Sequence, residues 1–166
     1  MSICVRYFRV PNDLLEEVIS ERDDDDCEDE PSTSSSYTAY PSLSLDKAWD
    51  MLHLFLTGAK EETGEPLSKA IHGNGEAVGD ESDGVYYLLP AEVNEIAHAL
   101  KAQDPEALAA RVLAMDAEEL DELEIYSFDS DDVESAVLEA RCNFDLTREF
   151  YESAAAAGEG VIFNVG

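Results

Sequence analysis

Positive charge is what this sequence has least of. Its 166 residues include ten Lys and Arg against 39 Asp and Glu, which gives a net charge of −29. Proteins that bind nucleic acid neutralise phosphates with clustered Lys and Arg, and the anionic inner face of a membrane also attracts basic segments. The sequence therefore predicts no nucleic-acid partner and no membrane partner. A field of this sign would favour a basic protein partner, but it more often reflects only a surface adapted for solubility or for high salt.

Cysteines are few and scattered, at Cys4, Cys27 and Cys142. No Cys-x-x-Cys pair and no Cys/His spacing indicates a zinc site. An odd number of distant thiols is typical of a reducing compartment. The first residues lack a long apolar stretch, and the longest apolar runs in the sequence are far shorter than the ~20 residues of a membrane helix. We therefore expect a cytoplasmic protein.

Motifs for nucleophilic or phosphate chemistry are absent as well. The sequence has no G-x-S-x-G elbow and no G-x-x-x-x-G-K-[ST] loop. The glycine-rich run His72-Gly73-Asn74-Gly75 has acidic flanks that disfavour a phosphate, and Cys27 has acidic neighbours that disfavour a thiolate. The sequence therefore predicts no cofactor, and it favours a binding protein over an enzyme.

Length and periodicity predict one α+β domain over residues 1–166. Runs of β-branched and aromatic residues predict strands at Ile3–Val10, Val85–Leu89 and Val161–Val165. Helical spacing and caps predict helices that begin at Asn12, Ser44, Pro66, Pro90, Asp104, Asp116 and Ser130. The expected architecture is a small apolar sheet of about three or more strands, covered by several helices. Because the Val85–Leu89 strand is apolar throughout, we expect it at the centre of the sheet.

The helix from Ser130 to Ala157 is predicted to be the longest, and it directly precedes the last strand. Leu138, Leu146 and Phe150 lie off its main apolar face. This pattern predicts that the helix is covered on two sides.

Residues 22–42 interrupt the pattern of helices and strands. They contain two acidic runs followed by a Ser-rich stretch, with little apolar surface to bury. Like charges side by side and missing apolar surface predict a flexible loop.

The best candidate site comes from the helix predicted over Ser44–Thr57, which Gly58 ends. Asp46, Asp50, His53 and Thr57 are four, three and four residues apart, so on one helix they share a flank beside Trp49. A carboxylate that bonds an imidazole fixes its tautomer and raises its basicity. His53 as a base oriented by Asp50, with Asp46 nearby and Trp49 and Thr57 as ligand contacts, is the catalytic or ligand-binding hypothesis.

Two other interpretations of the same residues stay open. In a structural interpretation, His53 bonds a backbone carbonyl of a neighbouring loop, and Asp46 only helps the helix to start. Asp46, Asp50 and His53 could also bind a metal, but three ligands from one helix rarely converge, and the sequence predicts no metal site.

Several segments resemble the bacterial YfbM-like family. Leu45–Gly58 is similar to the family signature LDKxWxxLHxxLTG, Pro66–Ile71 to PLSxAI, Tyr87–Val93 to YLxPxEV, and Gly158–Val165 to the closing strand. The resemblance implies a compact α+β fold and no function, since this is a family of unknown function. Two positions depart from the family pattern: Ser127-Phe128 replaces a Pro and a nearby Trp, and Tyr86 replaces a frequent Arg.

Two hypotheses of different classes follow. The favoured one is a non-enzymatic interaction module whose acidic surface docks on a basic protein. The alternative is a small enzyme or ligand-binding domain that uses the Asp46/Asp50/His53 flank beside Trp49. That alternative requires a pocket at the flank.

Overall fold

The structure is a computed structural model that describes residues 2–23 and 37–166. Its strands are β1 (Val5–Val10), β2 (Ser42–Asp46), β3 (Val85–Leu88) and β4 (Gly160–Val165). They form one antiparallel sheet in the order β2-β1-β4-β3. In the described ranges the α-helices are α1 (Asn12–Asp23), α2 (Trp49–Thr57), α3 (Pro66–His72), α4 (Pro90–Lys101), α5 (Pro105–Leu113), α6 (Ala117–Glu122) and α7 (Val133–Ala156). The α+β class is confirmed, and so is the long helix before the last strand.

Strand alternation directs side chains to both faces of the sheet, and both faces are covered. One face packs against α4 and α7, and its buried residues join those of α2, α4, α5 and α7 in the main core. A smaller core on the other face joins Phe8 and Ile162 of the central strands to Leu15 and Val18 of α1. The sheet is therefore the middle layer.

Local end signals place several helices as predicted. Pro90 and Pro105 each occupy the first turn, where a missing N–H costs nothing. Asp116 and Glu119 form the predicted capping box, because each side chain accepts the other residue's backbone N–H.

The helix predicted from Ser44 was wrong at its start. Residues 42–46 form β2, where Leu43 and Leu45 are buried and the alternate residues Ser42, Ser44 and Asp46 are exposed. This alternation is the period of a strand. Leu45 also lies four residues before Trp49, which is helical spacing. The apolar pattern of the sequence therefore predicted one helix where the structure has a strand followed by a helix.

β3 is an edge strand, so the predicted central position was wrong. Its neighbour is β4 on one side only. On the other side, Val78 N–H donates to the Val85 carbonyl, and Tyr87 N–H donates to the Glu76 carbonyl. The short segment from Glu76 to Val78 covers this edge. The strand is apolar on both faces because Tyr86 and Leu88 pack in the main core, and Val85 and Tyr87 pack in the smaller one.

Of the residues predicted as a loop, 22–42, the first two end α1, Tyr37–Ala39 form a 3₁₀ turn, and Ser42 begins β2. Tyr37 is buried against Phe8, with ring centroids 5.3 Å apart. Residues 24–36, which carry the acidic and Ser-rich runs, lie outside the described part of the chain.

α7 begins later than predicted and is covered less completely. Asp132, not Ser130, caps it by accepting the N–H of Ser135. Phe150 is buried as expected, but Leu138 and Leu146 are 65% and 53% exposed. The predicted second covered side was therefore wrong for these two residues.

Candidate functional site

The end of α2 is built as the sequence predicts. Gly58 adopts a left-handed conformation (φ 74°), and its N–H donates to the Leu54 carbonyl. The Thr57 hydroxyl lies within 2.9 Å of the His53 carbonyl and 3.1 Å of the Ala59 carbonyl. Thr57 therefore secures the turn after α2.

Asp46 does not join the other predicted site residues. It ends β2 with a positive φ of 47°, is exposed, and accepts a hydrogen bond of 2.9 Å from the Ser44 hydroxyl. The predicted position in a first helical turn was wrong, because the helix begins only at Trp49.

His53 is fully buried, and both of its ring nitrogens are bonded. Nδ1 lies 2.9 Å from the Ala59 carbonyl, and Nε2 lies 2.9 Å from the Ser68 hydroxyl. A carbonyl only accepts, so Nδ1 carries the proton and Nε2 accepts from Ser68. The Ser68 oxygen in turn accepts the Thr63 N–H at 3.2 Å. This is the geometry that the structural interpretation expects.

Burial and, to a smaller extent, the neighbouring His72 lower the pKa of His53 to about 4, against the opposing effects of the Ala59 hydrogen bond and of Asp50. A neutral ring at physiological pH agrees with the hydrogen bonds, because a charged imidazolium would leave the Ser68 hydroxyl hydrogen without its acceptor.

Asp50 is also buried, but it bonds elsewhere. Its Oδ2 accepts the Tyr126 N–H at 2.8 Å and lies 3.9 Å from the Lys60 Nζ. The predicted hydrogen bond from Asp50 to His53 is not formed, because both nitrogens of His53 have other partners. Asp50 instead fixes the loop before α7 onto α2.

Trp49 lies where the buried cluster meets the surface. Its ring is half-buried, stacks on Tyr126 with centroids 5.6 Å apart, and meets the edge of His72 at 5.8 Å. Its Nε1–H donates to the Ile3 carbonyl at 3.2 Å. The indole is thus fixed in place, with part of its surface open.

A cleft of about 410 Å³ opens beside Trp49, within the size range of small-molecule sites. Its walls include Trp49, Ile71, Tyr86 and Phe163. Tyr86 and Phe163 are register partners on β3 and β4 and stack with centroids 5.4 Å apart. Phe163 continues the row to Tyr7 of β1 at 5.3 Å. Two rings of this row, Tyr86 and Phe163, therefore line the cleft, and the buried Tyr7 ring lies behind them.

His72 is the cleft residue that the sequence did not single out. Its Nδ1 lies 3.8 Å from a Glu62 oxygen, whereas its Nε2 is buried without a hydrogen-bond partner. Burial lowers the pKa of His72, and Glu62 and Asp50 oppose that shift. Its ring lies 4.5 Å from His53. The signal in the sequence that could have pointed to His72 is its position at the end of a predicted helix, directly before Gly73.

The packing of Gly73 shows how tightly α3 is fixed on the aromatic row. A Cβ on this residue would lie 2.6 Å from the Phe163 ring, and its φ of 70° is one that glycine favours. The backbone after His72 therefore rests directly on the floor of the cleft.

A second depression of about 660 Å³ lies between the β2–α2 connection and α7. Leu45, Met51 and Ala140 supply apolar surface. Its acidic residues are Asp46, Asp129, Asp132 and Glu139, with Lys47 as the cation among them. Within the described residues, no group of three metal-ligating side chains occurs, and no helix is long and apolar enough to cross a membrane.

A match to a family model identifies the family of this chain. The model of a domain of unknown function, DUF1877, matches residues 1–164. The chain belongs to this family.

A solved structure has the same fold as this DUF1877 domain. The crystal structure of YfbM from Escherichia coli, a protein of unknown function, superposes with a TM-score of 0.75 over 98% of this chain and 99% of that one, at 18% identity. No curated protein matches the sequence. The predicted YfbM-like resemblance is confirmed.

Both sequence departures from the family pattern lie in the two depressions of this DUF1877 domain. Tyr86 forms a wall of the cleft, and Ser127-Phe128 line the acidic depression. Ser127 also has a positive φ of 56°.

Proposed function

We propose that this chain is a small-molecule-binding domain whose ligand occupies the cleft beside Trp49. The observation that carries this proposal is an aromatic cleft bordered by His72, whose Nε2 is buried without a hydrogen-bond partner. A buried polar atom without a partner costs about 1–3 kcal/mol, so its presence at the wall of a cleft favours a ligand role.

Binding fits the site better than catalysis. His53 has no free ring nitrogen, because Ala59 and Ser68 bond both of them. A general base needs a free lone pair within reach of a substrate. The proposal therefore moves the function from His53 to the neighbouring surface of Trp49 and His72.

The test is a small-molecule screen by thermal shift, with binding sites mapped by NMR. Bound compounds should shift the Trp49 indole N–H and the Gly75 amide signal. Val165→Phe fills the cleft from its exposed rim and should abolish these shifts. Leu113→Phe, an equally exposed change on α5, should preserve them. Compounds that bind only elsewhere, or bind Val165→Phe equally well, would refute the proposal.

A second candidate function is docking of a basic protein segment in the acidic depression. Its apolar floor and four carboxylates complement a segment with alternating basic and apolar side chains. A pull-down from extract at low and high salt tests it with Asp129→Asn/Glu139→Gln as the variant. A basic partner that is lost both at high salt and with the variant supports docking, and a partner indifferent to either excludes it.

For the compartment, we propose the cytoplasm. Cys4 and Cys142 are free thiols, and Cys142 is exposed on α7. Exposed thiols persist in reducing compartments. Labelling of these thiols in freshly lysed cells tests this, because oxidation of Cys142 in the cell would contradict it.

A further inference from the structure

We infer that the ligand of the cleft beside Trp49 is an organic cation, an ammonium group on a compact apolar body. This inference rests on the proposed small-molecule function and adds the chemical class of the ligand. It is carried by two features of the cleft, the sign of its charges and the nature of its walls.

The charges at the cleft are of one sign. Glu62 and Glu81 belong to its lining, and none of the described lining residues is Lys or Arg. Glu62 is 68% exposed at its side chain, so its carboxylate can turn toward a bound ligand. The ammonium group of Lys60, in the segment after α2, is directed to Asp50 and to the Glu124 carbonyl. The cleft therefore attracts a cation and repels an anion.

The walls provide the aromatic surface that ammonium groups prefer. Trp49 and Tyr86 are half-buried, and each has a second aromatic ring behind it, Tyr126 and Phe163. The supporting rings hold the two walls in place, so little conformational entropy is lost when a ligand binds. A cation over such a ring gains about 2- to 30-fold in affinity.

His72 borders the cleft without adding positive charge. Burial lowers its pKa, so the ring is neutral at physiological pH.

Trp49 gives the experiment its probe, since it is the single tryptophan of the chain. Its fluorescence is titrated with choline and with the neutral alcohol in which a quaternary carbon replaces the choline nitrogen. The two probes have the same shape, and sodium chloride at equal concentration controls for ionic strength. We expect choline to bind at least about fivefold more tightly than the neutral alcohol.

Carboxylate variants locate the selectivity. Glu62→Gln/Glu81→Gln should weaken choline binding at least about threefold and leave binding of the neutral alcohol unchanged. The matched control is Glu95→Gln, which removes an exposed carboxylate of α4 and should have no effect on either probe.

The outcomes separate the inference from the proposed function. Equal or tighter binding of the neutral alcohol overturns the organic-cation inference and keeps the small-molecule proposal. A choline response that Glu95→Gln weakens as much as the double variant also overturns it, because it reports only the net charge. No response to either probe overturns the inference, and the proposed function then falls only if the screen also finds no cleft ligand.

Discussion

Two histidines in ring contact, His53 on α2 and His72 on α3, differ in how completely their polar atoms are satisfied. Both nitrogens of His53 have partners, and its side chain is fully buried. One nitrogen of His72 is buried without a partner, and its ring borders a cleft. The fold therefore satisfies both ring nitrogens of His53, whereas it leaves Nε2 of His72 without a hydrogen-bond partner. The difference separates a structural cluster from a candidate site a few ångströms away.

The largest expected effect breaks the structural cluster. His53→Ala removes a fully buried side chain and two hydrogen bonds, and leaves the Ser68 hydroxyl without its acceptor. We expect the free energy of unfolding to fall by about 2–4 kcal/mol in urea titrations. His98→Ala, at an exposed position of α4, is the control and should change it by less than about 0.5 kcal/mol. Equal effects of the two changes would contradict the structural role of His53.

A pH series sharpens the same comparison. Because the pKa of His53 is lowered to about 4 in the folded protein, the unfolded chain binds more protons between pH 4 and its ordinary value near 6.5. Stability from this group is complete above pH 6.5 and is lost as the pH falls toward 4, by at most about 3 kcal/mol.

The stability difference between the wild type and His53→Gln isolates this contribution from the many carboxylates that also titrate. That difference should narrow between pH 7 and pH 5 in urea titrations. A difference that stays constant or widens would show that His53 protonates normally.

The next largest effect on stability is expected from Asp50, in contrast to Asp46, which the sequence predicts on the same flank of one helix. Asp50→Ala leaves the partly buried Tyr126 N–H without an acceptor and should cost about 1–3 kcal/mol. Asp46→Ala removes only an exposed bond to Ser44 and should cost less than about 0.5 kcal/mol. Denaturant midpoints of the two variants measure the contrast, and similar midpoints would argue against the buried role of Asp50.

The smallest effect on stability is expected at the cleft. Glu62→Gln changes an exposed rim residue, so the free energy of unfolding should shift by less than about 0.5 kcal/mol. A clear loss of stability would mean that Glu62 holds α3 in place, and the cleft would lose one of its ligand-facing groups.

The sequence predicted what local signals determine. Pro90 and the Asp116–Glu119 capping box marked helix starts correctly, because the chemistry of a helix end lies within a few residues. The helix start predicted at Ser44 was wrong because the position of Leu45 agrees with the spacing of a helix as well as with that of a strand. Only the pairing of this segment with β1 decides between the two.

The candidate site was predicted only in part for a related reason. Helical spacing predicts Trp49 beside a polar flank, and the structure has its half-buried ring at the wall of the cleft. The roles of His72 and Asp50 depend on contacts across long stretches of chain, such as the 76 residues between Asp50 and Tyr126. No periodicity within one helix carries that information.

The most direct test of the account is NMR of the histidine ring nitrogens in ¹⁵N-labelled protein, followed as choline is added. The account predicts that the His53 signals keep the pattern of a neutral ring protonated at Nδ1 and stay almost unchanged, while the His72 signals move together with the Trp49 indole N–H. Movement of His53 with a silent His72 would contradict it, because the buried ring would then be the one that meets the ligand.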